Sequence, residues 1–297
     1  NQLTLGLFQK GSHHLVSATT SEAHHVLINR AADFVQRIAR ELDVKPFDEE
    51  AGTGNLRFVL FSLERSSGKV QISLVWNGTQ NKDELDGLCK GIMGAASKYG
   101  VSVHSLWVHR NGSWKHSNAI ISHEEGSWDC RYGNKNGTKE FLPGQDVPLH
   151  FPPTVFRQGT IDAFGEIVNR ISSHLKAAYQ EKPRCVELYG GVGTIGLHLL
   201  KSCRSFTSSD ENPFNVDCFQ RSLRETSSKV KVKYKSLAAA KMLPFLKKAE
   251  LVIVDPPRKG LDEEVVDALC SSSECMATSL VYVSCGFEAF QRDCNDL

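Results

Sequence analysis

The sequence predicts an α/β protein: a carboxyl-terminal, doubly wound, mainly parallel sheet preceded by an amino-terminal α+β domain. Three observations lead there. Cys185-Val-Glu-Leu-Tyr-Gly-Gly-Val-Gly-Thr-Ile-Gly-Leu197 passes from a short apolar strand through packed glycines into a helical pattern. That is how an open α/β sheet presents N–H groups and a helix N-terminus to a ligand. From there strand and helix patterns alternate, which implies a parallel sheet with right-handed crossovers. The earlier residues read β-α-β-β-α-β, the order of a ferredoxin-like unit. The expected domains are 1–155 and 156–297.

In chain order, Leu3 to Phe8 reads as a strand and Gly11-Ser-His-His14 as a turn. Leu27, Ala31, Phe34, Ile38 and Leu42 recur at helical spacing. Leu56 to Glu64 and Lys69 to Trp76 form a hairpin pattern around Arg65-Ser-Ser-Gly68. Leu85, Leu88, Ile92, Met93 and Ala96 mark a second helix, and Val101 to His109 a further strand. Around and beyond Asn111, from Trp107 to Lys135, Trp107, Trp114 and Trp128 interleave with Arg110, Lys115, Arg131 and Lys135. Such rings and cations suit stacking on bases and contact with phosphates, or else the tryptophans are core and rim of a small sheet. No catalytic set stands out in this half, so its expected role is to grip substrate.

Phe151-Pro-Pro-Thr-Val-Phe-Arg-Gln158 is a proline-stiffened boundary, followed by a helix with Ile161, Phe164, Ile167, Ile171 and Leu175 on one face. Strands are then expected at Cys185–Tyr189, Ser205–Asp210, Lys229–Lys235, Leu251–Asp255 and Leu280–Ser284. Helices are expected at Gly193–Ser202, Pro213–Arg224, Ala238–Lys247, Asp262–Cys270 and from Phe287 onward.

Composition narrows the function less than the motifs do. The 297 residues carry 35 basic and 34 acidic side chains, a formal net charge of +1, so a nucleic-acid partner is neither indicated nor excluded. No apolar run is long enough for a transmembrane helix, and no signal-peptide pattern opens the chain. Nine cysteines without a CxxC pair argue for reduced thiols in an intracellular protein rather than a disulfide framework or zinc site. Cytoplasm, nucleus and organelle are not distinguished. The sequons at Asn77, Asn111 and Asn136 sit in Asn-Gly dipeptides that hairpin turns account for. The chain starts mid-pattern and stops at Asn295-Asp-Leu297, which reads as part of something longer.

Several residues fall at the carboxyl ends of the expected strands, where such sheets bind ligand. Asp210 ends the second strand about twenty residues beyond the glycine turn, a place from which an acid bonds a ribose hydroxyl. Asp255 is followed by Pro256-Pro257-Arg258-Lys259-Gly260, a rigid loop suited to positioning a nucleobase or methyl acceptor. Cys285 stands beside a helix N-terminus, where the dipole favours the thiolate a nucleophile needs. Gln158 enters the second domain with its amide near the cleft. Each has a plainer reading: helix entry for Gln158, an N-cap for Asp210, a small packed thiol for Cys285.

Together, Tyr189-Gly-Gly-Val-Gly-Thr194, Asp255-Pro-Pro-Arg-Lys-Gly260 and Val281-Tyr-Val-Ser-Cys285 resemble the S-adenosylmethionine-dependent RNA (uracil-5-)-methyltransferases, which make 5-methyluridine in tRNA and rRNA. Leu5-Gly-Leu-Phe-Gln-Lys-Gly-Ser-His13 resembles the start of that family's central domain, so the resemblance covers most of the chain. It implies a class I, Rossmann-like methyltransferase sheet, S-adenosyl-L-methionine as cofactor and an RNA substrate. Gln158, Tyr189, Thr194, Asp210 and Asp255 match positions that contact cofactor or target base. Gly191 and Gly193, with Gly190, would let the backbone close on the cofactor's amino-acid end. Cys285 matches the nucleophile that attacks carbon 6, with Asp255 at the pyrimidine edge and Arg258 and Lys259 on phosphates. No metal or membrane is implied, and protein partners are not specified.

The chain also departs from the family pattern. Gly286-Phe287 stands where Asn-Pro is usual, and Gly190 where a cysteine is frequent. The family's proton-abstracting glutamate lies beyond the nucleophile, near the carboxyl terminus, and no residue up to Leu297 is assigned that role. Two alternatives stay open: a catalytically idle RNA-binding or assembly factor on the same fold, and an RNA cytosine-5 methyltransferase. A dinucleotide oxidoreductase is disfavoured because it gives Asp255-Pro256-Pro257 and Cys285 no task.

Overall fold

A computed structural model describes residues 3–12, 14–18, 20–78, 81–112 and 126–297. The chain divides into two compact units, Asn1–Glu140 with Pro152–Thr154, and Phe141–Phe151 with Val155–Leu297. The expected division at 155 thus differs for one segment. Leu142, Val147, Leu149 and Phe151 are buried in the second unit's core and carry Phe141–Phe151 with them.

In the first unit, β1 (Gly6–Phe8) pairs antiparallel with β2 (Leu15–Ser17) as a separate hairpin. α1 (Val26–Glu41) and α2 (Lys82–Ala95) flank a sheet of β3 (Leu56–Glu64), β4 (Lys69–Trp76), β5 (Val103–Arg110) and β6 (Trp128–Gly133), in that order. β4 and β5 run parallel, and the other two pairings are antiparallel. This is α+β but not ferredoxin-like, because the first strand lies outside the sheet and β6 supplies its fourth strand. Closing a hairpin across a few residues costs less loop entropy than pairing across a helix, which favours the local partner. Phe34, Ile38, Ile72, Leu74, Trp76, Leu88, Ile92 and Leu106 form the core.

The sheet also takes up two of the tryptophans. Trp107 is buried with its Nε1 donating to Ser105 Oγ at 3.0 Å, and Trp128 stacks on His109 at 4.4 Å. Trp107 is thus core, and Trp128 lies half-buried at the rim of the sheet. Trp114 and Lys115 lie outside the described residues, as does His13.

β7 (Thr138–Phe141) closes the first unit at Glu140, and the second unit holds β8 (Pro148–Phe151) and then α3 (Ile161–Ala178). The inner face of α3 is Ile161, Phe164, Val168, Ile171 and Leu175. Val168 takes the place expected of Ile167, which is largely exposed. Five parallel strands follow: β9 (Arg184–Leu188), β10 (Ser205–Asp210), β11 (Lys231–Ser236), β12 (Leu251–Val254) and β13 (Ser279–Tyr282). Their spatial order is β11-β10-β9-β12-β13. The chain starts at the centre, winds outward to β11, then crosses to β12 on the other side of β9. The topological switch point therefore lies between β9 and β12, and the ligand crevice of such a sheet opens at their carboxyl ends.

Helices α4 (Gly196–Leu199), α5 (Asn215–Glu225), α6 (Leu243–Leu246), α7 (Glu263–Cys270) and α8 (Phe287–Asp296) complete the winding. Alternation along the strands separates two cores. Cys185, Leu251 and Ile253 face one, with α3 and α5. Val186, Leu188, Val252 and Val254 face the other, with Leu246, Val265 and Ala268. By the same period of two, Glu187 points into the first apolar face.

Candidate functional site

The turn after β9 is built so that its backbone stays open. Tyr189, Gly191 and Gly193 have φ of 57°, 54° and 90°, in the left-handed region. Non-glycine residues adopt it at a cost, so Tyr189 is a strained link between strand and turn. Gly190 N–H donates to Ser209 O at 2.8 Å, and Gly193 N–H to Gly190 O at 2.8 Å. At Gly191 a Cβ would meet nothing within 4 Å, so the space over this peptide is clear. At Gly190 a Cβ would stand 2.3 Å from Ser208 Oγ and 2.6 Å from Glu187 Oε2.

Glu187 is the residue that sequence reasoning missed. Only 2% exposed, it accepts from Gly196 N–H at 2.9 Å and from Ser208 Oγ at 2.6 Å, tying the turn to α4 and β10. Burial pushes its carboxyl up to about 8, opposed by the Ser208 and Gly196 hydrogen bonds and assisted by Asp255 and Asp210. The available signal was a lone carboxylate on the inward face of an apolar strand.

The predicted site residues fall as follows. Asp210, the last residue of β10, accepts from Gly191 N–H at 3.0 Å and from Asn212 N–H at 2.9 Å. It braces the glycine turn as well as opening the next loop. Tyr234 Oη donates to Gly191 O at 2.8 Å from β11. Tyr189 Oη donates to Asp262 Oδ2 at 3.0 Å, so its hydroxyl is already engaged. Thr194 offers its carbonyl to His198 Nδ1 at 2.9 Å, and burial pushes His198 down to about 4, leaving the ring neutral as donor.

Across the switch point, Asp255 follows β12 directly. Burial pushes its carboxyl up to about 6, and Gln158 Nε2 donates to its Oδ2 over a long 3.4 Å. The two residues singled out separately in the sequence thus meet.

Cys285 is exposed and sits three residues beyond the end of β13, so it lies not at a strand tip but in the turn that enters α8. Ser284 and Gly286 close that turn, with Gly286 N–H donating to Ser284 Oγ at 3.1 Å. A Cβ at Gly286 would come within 2.9 Å of Arg258 O, so the Cys285 turn lies against the Asp255–Gly260 loop. Asp293, buried in α8, fastens that loop. It accepts from Leu261 N–H at 2.8 Å, from Tyr282 Oη, and from Arg292, whose Nη2 also reaches Lys259 O at 2.7 Å. Burial would raise the Asp293 carboxyl, but the Tyr282, Leu261 and Arg292 hydrogen bonds outweigh it and hold it low. Arg258 and Lys259 are both exposed, and Lys259 pairs with Asp262 at 2.6 Å.

Among the described residues no group of three or more His, Cys, Asp or Glu is gathered to hold a metal, and no helix is long and apolar enough to cross a membrane. The candidate site thus comprises a glycine turn braced by Glu187 and Asp210 after β9, a carboxylate–amide pair after β12 and an exposed thiol after β13.

No protein-family model matches the chain. An uncharacterized RNA methyltransferase of Protochlamydia amoebophila is 31% identical over 293 residues, covering 97% of this chain and 73% of that protein. One of Enterococcus faecalis is 24% identical over 303 residues, covering 99% of this chain. The chain spans 61% of that relative's length. Among solved structures, the Pyrococcus abyssi tRNA (uracil-54, C5)-methyltransferase in complex with S-adenosyl-L-homocysteine superposes with a TM-score of 0.72 at 22% identity. That match covers 98% of this chain and 65% of that one, and it establishes the class I methyltransferase fold. With the Protochlamydia protein matched along nearly the whole chain, the chain belongs to the RNA methyltransferase family.

Proposed function

We propose that the chain is the catalytic part of an S-adenosylmethionine-dependent methyltransferase that acts on carbon 5 of a uracil in tRNA or rRNA, by way of a transient bond from Cys285. The observation that carries this reading is the seating of Gly286 on Arg258 O, which joins the Cys285 turn to the Asp255 loop. The open peptide at Gly191, with Asp210 braced beneath it, fits the amino-acid end and ribose of the cofactor. When bound there, the cofactor supplies a methyl group on a positively charged sulfonium.

The chain's own residues do the rest. The Cys285 thiolate forms a bond to carbon 6, and the displaced electron pair moves onto carbon 5 and oxygen 4. Carbon 5, now nucleophilic, takes the methyl group. A base removes the proton from carbon 5, the bond to sulfur breaks, and the thiolate and the aromatic pyrimidine are restored. Asp255 accepts from N3–H of the ring, with Gln158 orienting it. Arg258 meets a phosphate of a strand whose target base is flipped out of its stack. The first unit is assigned to gripping the RNA.

The test is covalent trapping. RNA carrying 5-fluorouridine has no carbon 5 proton to lose, so a Cys285 adduct should persist through denaturing electrophoresis. The intact protein should give a shifted band with cofactor present, and Cys285→Ala none while still binding cofactor. An adduct, or methyl transfer, in Cys285→Ala sinks the mechanism.

A further inference from the structure

The Gly286-Phe287 pair that departs from the family pattern is not used by the chemistry above. Phe287 is 77% exposed, although α8 buries Ala289 and Asp293 and sets Phe290 edge-on against Tyr282 at 5.1 Å. A single exposed apolar side chain is ordinary on a protein surface. The surroundings of this one are not. Its preceding residue, Gly286, is immobilised against Arg258, with the Arg258 Cα 3.6 Å from where a Cβ would stand. Two residues before the ring is the exposed thiol of Cys285, and Arg258 presents an exposed guanidinium from the adjoining backbone. Asp293 and Arg292 hold α8 to the same loop, so little freedom remains to be lost when the ring is covered.

A thiol and a ring two residues apart, with an exposed cation on the loop that Gly286 packs against, match three parts of a single strand: the target base, a neighbouring base and the phosphate beside it. We propose that Phe287 is a stacking platform for an unpaired nucleobase of the RNA substrate next to the uracil attacked by Cys285. This rests on the function proposed above. Stacking suits the setting because every base has a π-face, and removing one such ring weakens binding by roughly ten- to a hundredfold.

The experiment uses the intact protein and a single-stranded RNA oligonucleotide with 2-aminopurine beside a uridine. Binding should quench the fluorescence in the wild type and in Phe287→Trp. Phe287→Ala and Phe287→Leu should lose the quench and roughly ten- to a hundredfold of affinity, with cofactor binding unchanged. The leucine variant keeps an apolar side chain, so its loss would show that the ring matters rather than mere covering. Wild-type affinity in Phe287→Leu, equal quenching in Phe287→Ala, or wild-type binding without quenching would each overturn the proposal. The 5-fluorouridine adduct is scored separately. Without a wild-type adduct the Cys285 mechanism fails, whereas an adduct with no effect at Phe287 removes the stacking role alone.

Discussion

Replacing Glu187 with Gln should stabilise the protein at alkaline pH and leave it nearly unchanged in acid. The Glu187 carboxyl lies at about 8 in the folded chain against an ordinary 4.5, because burial disfavours its charge. Between those two values the folded state holds a proton that the unfolded state has released. Stability therefore falls as pH rises through this window and levels off above about 8. At ~1.4 kcal/mol per unit, the gap amounts to about 5 kcal/mol, an upper figure and comparable to the whole stability of many domains. Glutamine removes the titration while its carbonyl can still accept from Gly196 N–H and its amide can donate to Ser208 Oγ. Tryptophan fluorescence is the wrong assay, since Trp76, Trp107, Trp114 and Trp128 all precede Glu140. Hydrogen exchange of the peptide containing Gly196, measured at pH 5, 6.5, 8 and 9, reports the second unit directly. After correction for intrinsic exchange, the variant should gain protection over wild type as pH rises, reaching its full advantage near 8. Parallel curves, or a variant less protected at pH 9, would refute a buried titrating carboxyl.

Two further outcomes follow from the same geometry. Gly190→Ala should cost ~1–3 kcal/mol by overpacking against Ser208 Oγ and Glu187 Oε2, and adding Ser208→Ala should return part of it; additive losses in urea titration would show that the sites do not touch. Asp255 must be ionised to accept from uracil N3–H, and its carboxyl lies at about 6, so binding of uridine RNA to Cys285→Ala should weaken as pH falls through 6. Cytosine presents an acceptor at N3 and should show the opposite trend, so anisotropy titrations with both oligonucleotides decide between the two pyrimidines.

Much of the second unit is legible because β9 and β12 are apolar runs between helical patterns, and polar residues follow or end the strands at Asp210 and Asp255. Asp210, Asp255 and the glycine turn were found that way. Long-range pairing was not legible. Nothing local separates a β1 that joins the sheet from one that folds back on β2, and that choice overturned the ferredoxin-like order. Glu187 was passed over because a carboxylate inside an apolar strand carries no motif; its meaning depends on Gly196 and Ser208 arriving from other elements. Asp293 is similar, a charged residue on an amphipathic helix until Leu261 and Tyr282 are seen to converge on it. Gln158 gained its meaning only from Asp255, 97 positions away in the chain.

The two departures from the family pattern have one kind of cause. At position 190 the space a cysteine side chain would fill is occupied by Ser208 Oγ and Glu187 Oε2, and at 286 the space for an asparagine side chain is occupied by Arg258 O. In each place a side chain has been exchanged for closer packing between two loops of the site. A chain drifting away from catalysis has no reason to preserve that fit. Glu187, Asp210 and Asp293 each hold at least two hydrogen bonds in the site.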